Sequence, residues 1–235
     1  MVLQARVLCV VPAKARSARL PGKNMRELAG RPLLAHTLEH ARASRRIDRV
    51  VVSTDSPAIR DFCQLHGVSV PFLRPARQSA ADVHASVPVL DALERMGGAD
   101  AWTHCVMLLP TSPLRPAGAV DAVIERSIRD EANVLSVTRL GKSLLHLRSI
   151  DGEGGLQPVS QEVRVNFQSG DAPELHYLNG SIQCAPSAAL LRHRTFHYGA
   201  PLAFPMEPGT VVDVDTEADL RLAELLLGRG ERAAA

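Results

Sequence analysis

Val7-Leu8-Cys9-Val10-Val11-Pro12-Ala13-Lys14-Ala15-Arg16-Ser17-Ala18-Arg19-Leu20-Pro21-Gly22-Lys23-Asn24 begins as an apolar run and ends as a loop crowded with cations. Val7 to Val11 has the continuous apolar character of a strand buried on both faces. Pro12 breaks it, and Lys14, Arg16, Arg19 and Lys23 follow with no acidic residue before Glu27. A buried strand running into a cationic loop with Ser, Pro and Gly is one way to hold a phosphorylated ligand at the end of a sheet. It is not a Walker loop, because Asn24 follows Lys23 and the glycine spacing differs; nor is it G-x-G-x-x-G.

Outward from this stretch the same grammar repeats. Pro32–Arg46 has Leu33, Leu34, Thr37, Leu38 and Ala41 at helical spacing; Arg49–Ser53 reads as a second buried strand ending at Thr54-Asp55. Pro57–His66 is expected to be a helix with proline in its first turn, stopped by Gly67, and Val68–Phe72 a short strand. A polar stretch, Arg74–His84, leads to a helix ending near Met96. His104–Leu109 is a buried strand, Ala117–Arg129 a helix, Ala132–Val137 a strand. Residues 140–173 lose periodicity and read as an excursion from the sheet. Glu174–Ala185 returns to strand character, a short helix covers Pro186–Arg192, Thr210–Asp215 reads as the last strand, and Thr216–Leu227 as a helix capped by Thr216. Residues 228–235 are expected to fray. Strands alternating with helices imply βαβ units, a mostly parallel sheet and one domain over 1–235. Ligands of such sheets bind beyond the strands' carboxyl ends, which gathers the loops at 12–24, 54–55, 74–86 and 110–115 on one rim.

Composition sets the outer limits. The 235 residues are 46% hydrophobic and 22% charged, with a net charge of +2. That charge is too small to argue for nucleic acid or a membrane surface as partner. No apolar run approaches the ~20 residues of a membrane span, and the N-terminus lacks a signal-peptide layout. Cys9, Cys63, Cys105 and Cys184 form no C-x-x-C pair, so free thiols in the cytoplasm are expected rather than zinc.

Val211-Val212-Asp213-Val214-Asp215 is the second informative stretch. In an extended chain residues i and i+2 share a face, so Asp213 and Asp215 project together while Val212 and Val214 point to the core. Adjacent carboxylates repel, and Mg²⁺ is commonly held by one or two of them plus substrate phosphates. Pro110-Thr111-Ser112-Pro113-Leu114-Arg115 ends a buried strand with hydroxyls and a guanidinium, a set suited to ligand contact or to a braced turn. Asn179-Gly180-Ser181 interrupts a strand, either to admit a ligand or as an ordinary bulge. Together they suggest a nucleoside triphosphate clamped by a basic loop and a metal.

The loop Pro12–Asn24 resembles that of the cytidylyltransferases that activate acidic sugars, the CMP-sialic acid (N-acylneuraminate) synthetases and their relatives for legionaminic and pseudaminic acids. Val52-Ser53-Thr54-Asp55, Phe72-Leu73-Arg74-Pro75, Leu108–Arg115, Asn179–Ile182 and Val212–Glu217 follow in family order. Ser17–Lys23 also looks like the Kdo (3-deoxy-manno-octulosonate) version. The resemblance implies a three-layer α/β/α nucleotidyltransferase (Rossmann-like) fold whose excursion near 140–173 forms a homodimer. It also implies transfer of CMP from CTP to the anomeric hydroxyl of an acidic sugar, with release of pyrophosphate.

By the same resemblance Lys23, Asp213 and Asp215 are catalytic, and Asp213 and Asp215 hold Mg²⁺. Pro12, Ala13, Lys14, Ser17, Arg19, Lys23, Asn24, Arg74, Asp82, Ser86 and Thr111 face the nucleotide. Leu109, Ser112, Arg115, Lys142, His146, Ser169, Asn179 and Gly180 face the sugar. The family usually has Arg at Lys14, Gln at Leu109, Arg at Ser169, His-His-Pro at Gly141–Ser143 and Tyr at Gln183. The last four lie on the sugar side, and Lys142, His146 or Arg164 would replace the lost guanidinium. The alternatives are a cytidylyltransferase for another acid, such as Kdo or a phosphonate, and a silent nucleotide-binding homologue.

Overall fold

The computed structural model describes residues 5–80, 82–141, 146–159 and 174–233, with side chains as far as residue 228. β1 (Val7–Pro12) is buried along its apolar length, and the two-residue strands β2 (Glu27–Leu28) and β3 (Arg31–Pro32) form a small hairpin before α1 (Leu33–Ala43). β4 (Arg49–Ser53) follows, then α2 (Pro57–Leu65), whose Ser56 cap accepts the Ile59 N–H and whose first turn opens on Pro57. Next come α3 (Ser86–Arg95), the single turn α4 (Gly98–Ala101), β5 (His104–Leu108), α5 (Ala119–Asp130) and β6 (Val134–Arg139). Within the excursion, β7 (Arg148–Ile150) and β8 (Leu156–Pro158) pair antiparallel. β9 (His176–Pro186), α6 (Ser187–His193), β10 (Leu202–Met206) and α7 (Glu217–Ala233) complete the described chain.

The main sheet has the order β10-β6-β9-β5-β1-β4. All its pairings are parallel except those of β9, which runs antiparallel to both β5 and β6. β9 runs against its neighbours: the chain leaves β6 at the carboxyl edge of the sheet and β9 returns down it. Alternation along β1 divides the core into two apolar layers. Val7, Cys9 and Val11 pack with Leu38 of α1, Ile59 of α2 and Ile124 of α5. Leu8 and Val10 pack on the other face with Leu90 of α3, Leu190 of α6 and Phe196. That is the expected three-layer α/β/α arrangement. β4 flanks β1 on one side and β5 on the other, so the chain reverses its winding between β1 and β5, where α/β sheets open a ligand crevice.

Three expectations need correction. Val211–Asp215 is extended but joins no ladder; after the 3₁₀ turn Pro208–Thr210 it crosses the carboxyl edge of the sheet. The period-2 pattern is the same for a strand and for a chain laid across a rim, and here the edge next to β6 is taken by β10, which the sequence reading left unassigned. Val68–Phe72 makes isolated bridges at Ser69 and Leu73 instead of a strand, in a stretch flanked by Pro71 and Pro75. α7 continues through Gly228 to Ala233, past the start of the expected frayed tail.

Candidate active site

A third apolar cluster joins the two stretches singled out in the sequence. Leu20 of the cationic loop packs with Val212 and Val214, and with Leu220 and Ala223 of α7. Burying these side chains draws the loop down onto the acidic segment. Lys23 Nζ donates to Asp215 Oδ1 at 2.7 Å and Arg19 approaches Asp215 Oδ2 at 2.6 Å. Lys23 is nearly enclosed, its side chain 13% exposed, whereas that of Arg19 is 68% exposed.

The acidic segment is pinned from both sides. Val214 N–H donates to the Thr111 carbonyl at 2.7 Å, which brings the Thr111 side chain beside the Asp213 carboxyl. Asp219 Oδ2 accepts from the backbone N–H groups of Asp215 and Thr216 and from the Thr216 hydroxyl, while Thr216 Oγ1 accepts the Asp219 N–H. This reciprocal cap starts α7 as expected. Asp213 reaches solvent on one side but is crowded by protein on the other; that burial, with the charge of Asp215, raises its pKa above the ordinary carboxylate value against the opposing effect of the Thr111 side chain.

The cationic loop has its own scaffold. Ala13 N–H donates to Ser53 O, Ala15 N–H to Asp55 Oδ1 at 2.8 Å, and Asn24 Nδ2 to Lys14 O at 2.8 Å. Gly22, at φ +66°, turns the chain into the 3₁₀ turn Lys23–Met25. The loop encloses a cavity of about 410 Å³ lined by residues 14–18, Pro21 and Gly22, large enough for phosphate groups. Asn24 therefore orients the loop, and Asp55, which the sequence reading placed on the rim without a role, ties it to β4. A carboxylate just past a strand's carboxyl end was the signal for it.

The remaining candidates divide into rim and interior. Arg74 is buried beside β4; its Nε donates to Ser79 Oγ at 2.7 Å, and one terminal nitrogen has no partner among the described residues. Burial lowers its pKa, against the pull of Asp55. An orphaned guanidinium nitrogen at this edge suits an acceptor atom on a ligand. Ser86 is buried at the start of α3 and bonds His84 Nδ1, while Asp82 is exposed. Leu109 is half-buried, and Ser112 is fully buried with an unpartnered hydroxyl.

Arg115 and Asn179 differ from expectation. Arg115 faces the interior, its guanidinium bonded to the carbonyls of Leu109 and Ser181 and to the Thr37 hydroxyl. Asn179 is also turned inward. Its amide donates to Thr138 Oγ1 and Met206 Sδ, and its oxygen accepts from Ser136 Oγ and Ser181 N–H. Leu178 and Gln183 of β9 face Val137 and Leu135 of β6, so the four residues Asn179–Ile182 lie opposite Ser136 alone and form a bulge. Gly180, at φ +68°, lies close to Leu109, and a Cβ there would stand 3.1 Å from Leu109 Cδ1. Each side chain spends its hydrogen bonds inside the fold. His146 is exposed on the excursion; Lys142, Arg164 and Ser169 lie outside the described residues.

Two carboxylates on one extended face, one of them with its pKa raised by burial and then by its neighbour's charge, form an oxygen donor set suited to Mg²⁺ when substrate phosphates supply further ligands. No cluster of three or more metal-binding side chains exists among the described residues.

A cationic loop and a pair of carboxylates meeting at the switch point of a doubly wound sheet define a nucleotide-handling α/β enzyme. A family model for cytidylyltransferase matches residues 8–133. Over 97% of its length the chain is 34% identical to the CMP-N,N'-diacetyllegionaminic acid synthase of Legionella pneumophila, covering 99% of that protein. It is also 30% identical, over 90% of its length, to an N-acylneuraminate cytidylyltransferase of Streptococcus agalactiae, spanning 51% of that longer protein. The chain belongs to the cytidylyltransferase family. The solved CTP complex of CMP:2-keto-3-deoxy-manno-octonic acid synthetase shares its fold, with TM-score 0.72 at 15% identity, covering 96% of this chain and 100% of that one.

Proposed function

We propose that this protein transfers CMP from CTP to the anomeric hydroxyl of an acidic sugar of the nonulosonic type, releasing pyrophosphate. The observation that carries this reading is the convergence of Lys23 and Arg19 on Asp215, beside Asp213. The 34% identity to a CMP-legionaminic acid synthase, nearly end to end, supports the acceptor class.

The anomeric oxygen attacks the α-phosphorus in line; the bond from that phosphorus to the β-phosphate oxygen breaks, and pyrophosphate leaves with the electron pair while the hydroxyl proton is released. No side chain forms a covalent bond, so the protein's work is placement and charge neutralisation. Lys14, Arg19 and Lys23 hold the triphosphate over the loop cavity, and Ser17 presents its hydroxyl there. Arg74 offers its orphaned nitrogen to base or ribose. Asp213 and Asp215 are the residues that would hold Mg²⁺. When bound, that ion draws charge from the phosphate oxygens and lowers the pKa of the attacking hydroxyl. Leu109, Ser112 and Gly180 form the acceptor side of the crevice.

The active species is proposed to be a homodimer. Ile150 and Leu156 stand opposite each other on β7 and β8, 73% and 68% exposed, and β9 exposes Tyr177 and Leu178. A second copy is the partner that would cover such surface. No helix among the described residues is long and apolar enough to cross a membrane. Burial pushes the thiols of Cys9 and Cys184 up to about 12, so they are inert, in keeping with a reducing cytoplasm.

The test is pyrophosphate release with Mg²⁺ and CTP, ATP, GTP or UTP against sialic, legionaminic, pseudaminic and Kdo acids. Release with CTP and one nonulosonic acid is expected. Release only with Kdo would change the acceptor, and silence throughout, with no CTP binding, would refute the reading.

A further inference from the structure

Arg115 poses a physical problem. Its side chain lies behind the rim, 6% exposed, and makes no ion pair among the described residues. Burial pushes its pKa down to about 9. An enclosed cation without a counter-charge costs stability, and an apolar side chain of similar volume in such a place is often neutral or better. Stability therefore does not account for it.

Its contacts suggest what does. Nη2 donates to Leu109 O at 2.6 Å and to Ser181 O at 3.0 Å, Nε donates to Ser181 O at 3.3 Å, and Nη1 donates to Thr37 Oγ1 at 3.0 Å. The planar fork thus joins three elements at one point: α1, the turn after β5, and the bulge of β9, while Thr37 Oγ1 and His40 Nε2 add further links from α1 to the same turn, at Leu109 O and Pro113 O. A guanidinium can do this because its N–H groups are fixed in one plane, which an ammonium cannot match. The turn it holds continues directly to the acidic segment: Leu109 O also accepts Ser112 N–H at 3.2 Å, and the Thr111 carbonyl accepts Val214 N–H at 2.7 Å, which places Thr111 beside Asp213.

We propose that Arg115 is a positioning residue for CMP transfer: it locks the Leu109–Ser112 turn in register with the Gly180–Ser181 bulge and, through Thr111, sets where Asp213 stands in the crevice. This rests on the transferase reading above. It touches neither substrate. The cationic loop packs on the same acidic segment through Leu20, but it is also held by Asp55 and Asn24, which Arg115 does not touch, so turnover should fall more than nucleotide affinity. The signature of such a role is a fall in kcat with little change in the KM for CTP, because misplacing a group by a fraction of an ångström penalises the transition state more than the ground state.

The experiment compares wild type with Arg115→Lys and Arg115→Met, using pyrophosphate release at varied CTP and varied acid, with circular dichroism and thermal melting of each protein. The expected result is a kcat at least tenfold lower in both, larger for Met, with the KM for CTP within about twofold of wild type. Unchanged kcat per folded molecule would overturn the proposal, as would a rise in either KM at constant kcat, which marks direct binding. If both variants fail to fold, Thr37→Val removes one acceptor of the fork while keeping the charge; it should lower kcat severalfold at constant KM for CTP, and an unchanged kcat there overturns the proposal. A wild type inactive with CTP and every acid would instead refute the functional reading.

Discussion

Lys23 and Arg19 meet the same carboxylate at nearly the same distance, yet they should differ sharply in function. A unit charge about 4 Å from a phosphate oxygen is worth about 4 kcal/mol at an effective dielectric of about 20, the value that suits the partly enclosed Lys23. Allowing for residual solvent, Lys23→Met should lose about 2–4 kcal/mol of transition-state stabilisation, or roughly 30- to 1,000-fold in kcat/KM for CTP. The exposed guanidinium of Arg19 is screened, and such pairs contribute about 0–1 kcal/mol, so Arg19→Met should cost at most about fivefold. Both variants should fold, since neither side chain belongs to the apolar clusters. The assay is initial-rate pyrophosphate release at saturating acid across a CTP titration, at low and at physiological salt. Added salt should depress the Arg19 contribution and leave that of Lys23 nearly intact. Equal losses for the two variants, or a Lys23→Met enzyme within threefold of wild type, would refute the idea that enclosure sets the value of each charge.

The raised pKa of Asp213, caused by burial and then by Asp215, also has a sign that can be checked. A carboxyl whose folded pKa exceeds the unfolded value stabilises the fold while protonated, and that contribution is lost as pH rises through the folded pKa. Asp213→Asn should therefore melt higher than wild type at neutral pH without metal, lose that advantage below the ordinary carboxyl range near 3.8, and abolish turnover. A lower melting temperature at pH 7 would contradict the assignment. Gly180→Ala places a Cβ 3.1 Å from Leu109 in a left-handed conformation costing about 1–2 kcal/mol, so the KM for the acid should rise while that for CTP holds. Leu20→Ala should lower stability by about 3 kcal/mol, roughly 6–12 °C in melting temperature. It should also weaken CTP binding, because Leu20 anchors the cationic loop to Val212, Val214 and α7; calorimetry checks both.

Much of this protein was legible residue by residue because the signals are local. The short apolar runs at Val7–Val11 and Cys105–Leu108, each ended by a proline within two residues, read as strands buried on both faces, and the spacing of Leu34, Leu38 and Ala41 as a helix facing a sheet. Thr216 followed by Asp219 is a cap wherever it sits, since both partners of the exchange are within one turn. The density of cations between Pro12 and Asn24 announced a phosphate loop for the same reason: four like charges in one short loop call for anionic company.

The tertiary structure decided matters that depend on distant partners. Val211–Asp215 has the alternation of a strand, but whether an extended chain joins a ladder depends on which edge is free, and β10 holds the one beside β6. Arg115 and Asn179 are polar residues in strand-end stretches; the residues alone left ligand contact and structural bracing both open, and the resemblance placed them on the sugar side. Their direction is set by carbonyls and hydroxyls from α1, β6 and the turn after β5, none of them near in sequence. Asp55 and Thr111 gained their roles similarly, one holding the cationic loop and the other the acidic segment. A side chain's type is a property of the sequence, whereas the face it presents is chosen by whichever neighbours satisfy it at least cost, and those neighbours exist only once the chain has folded.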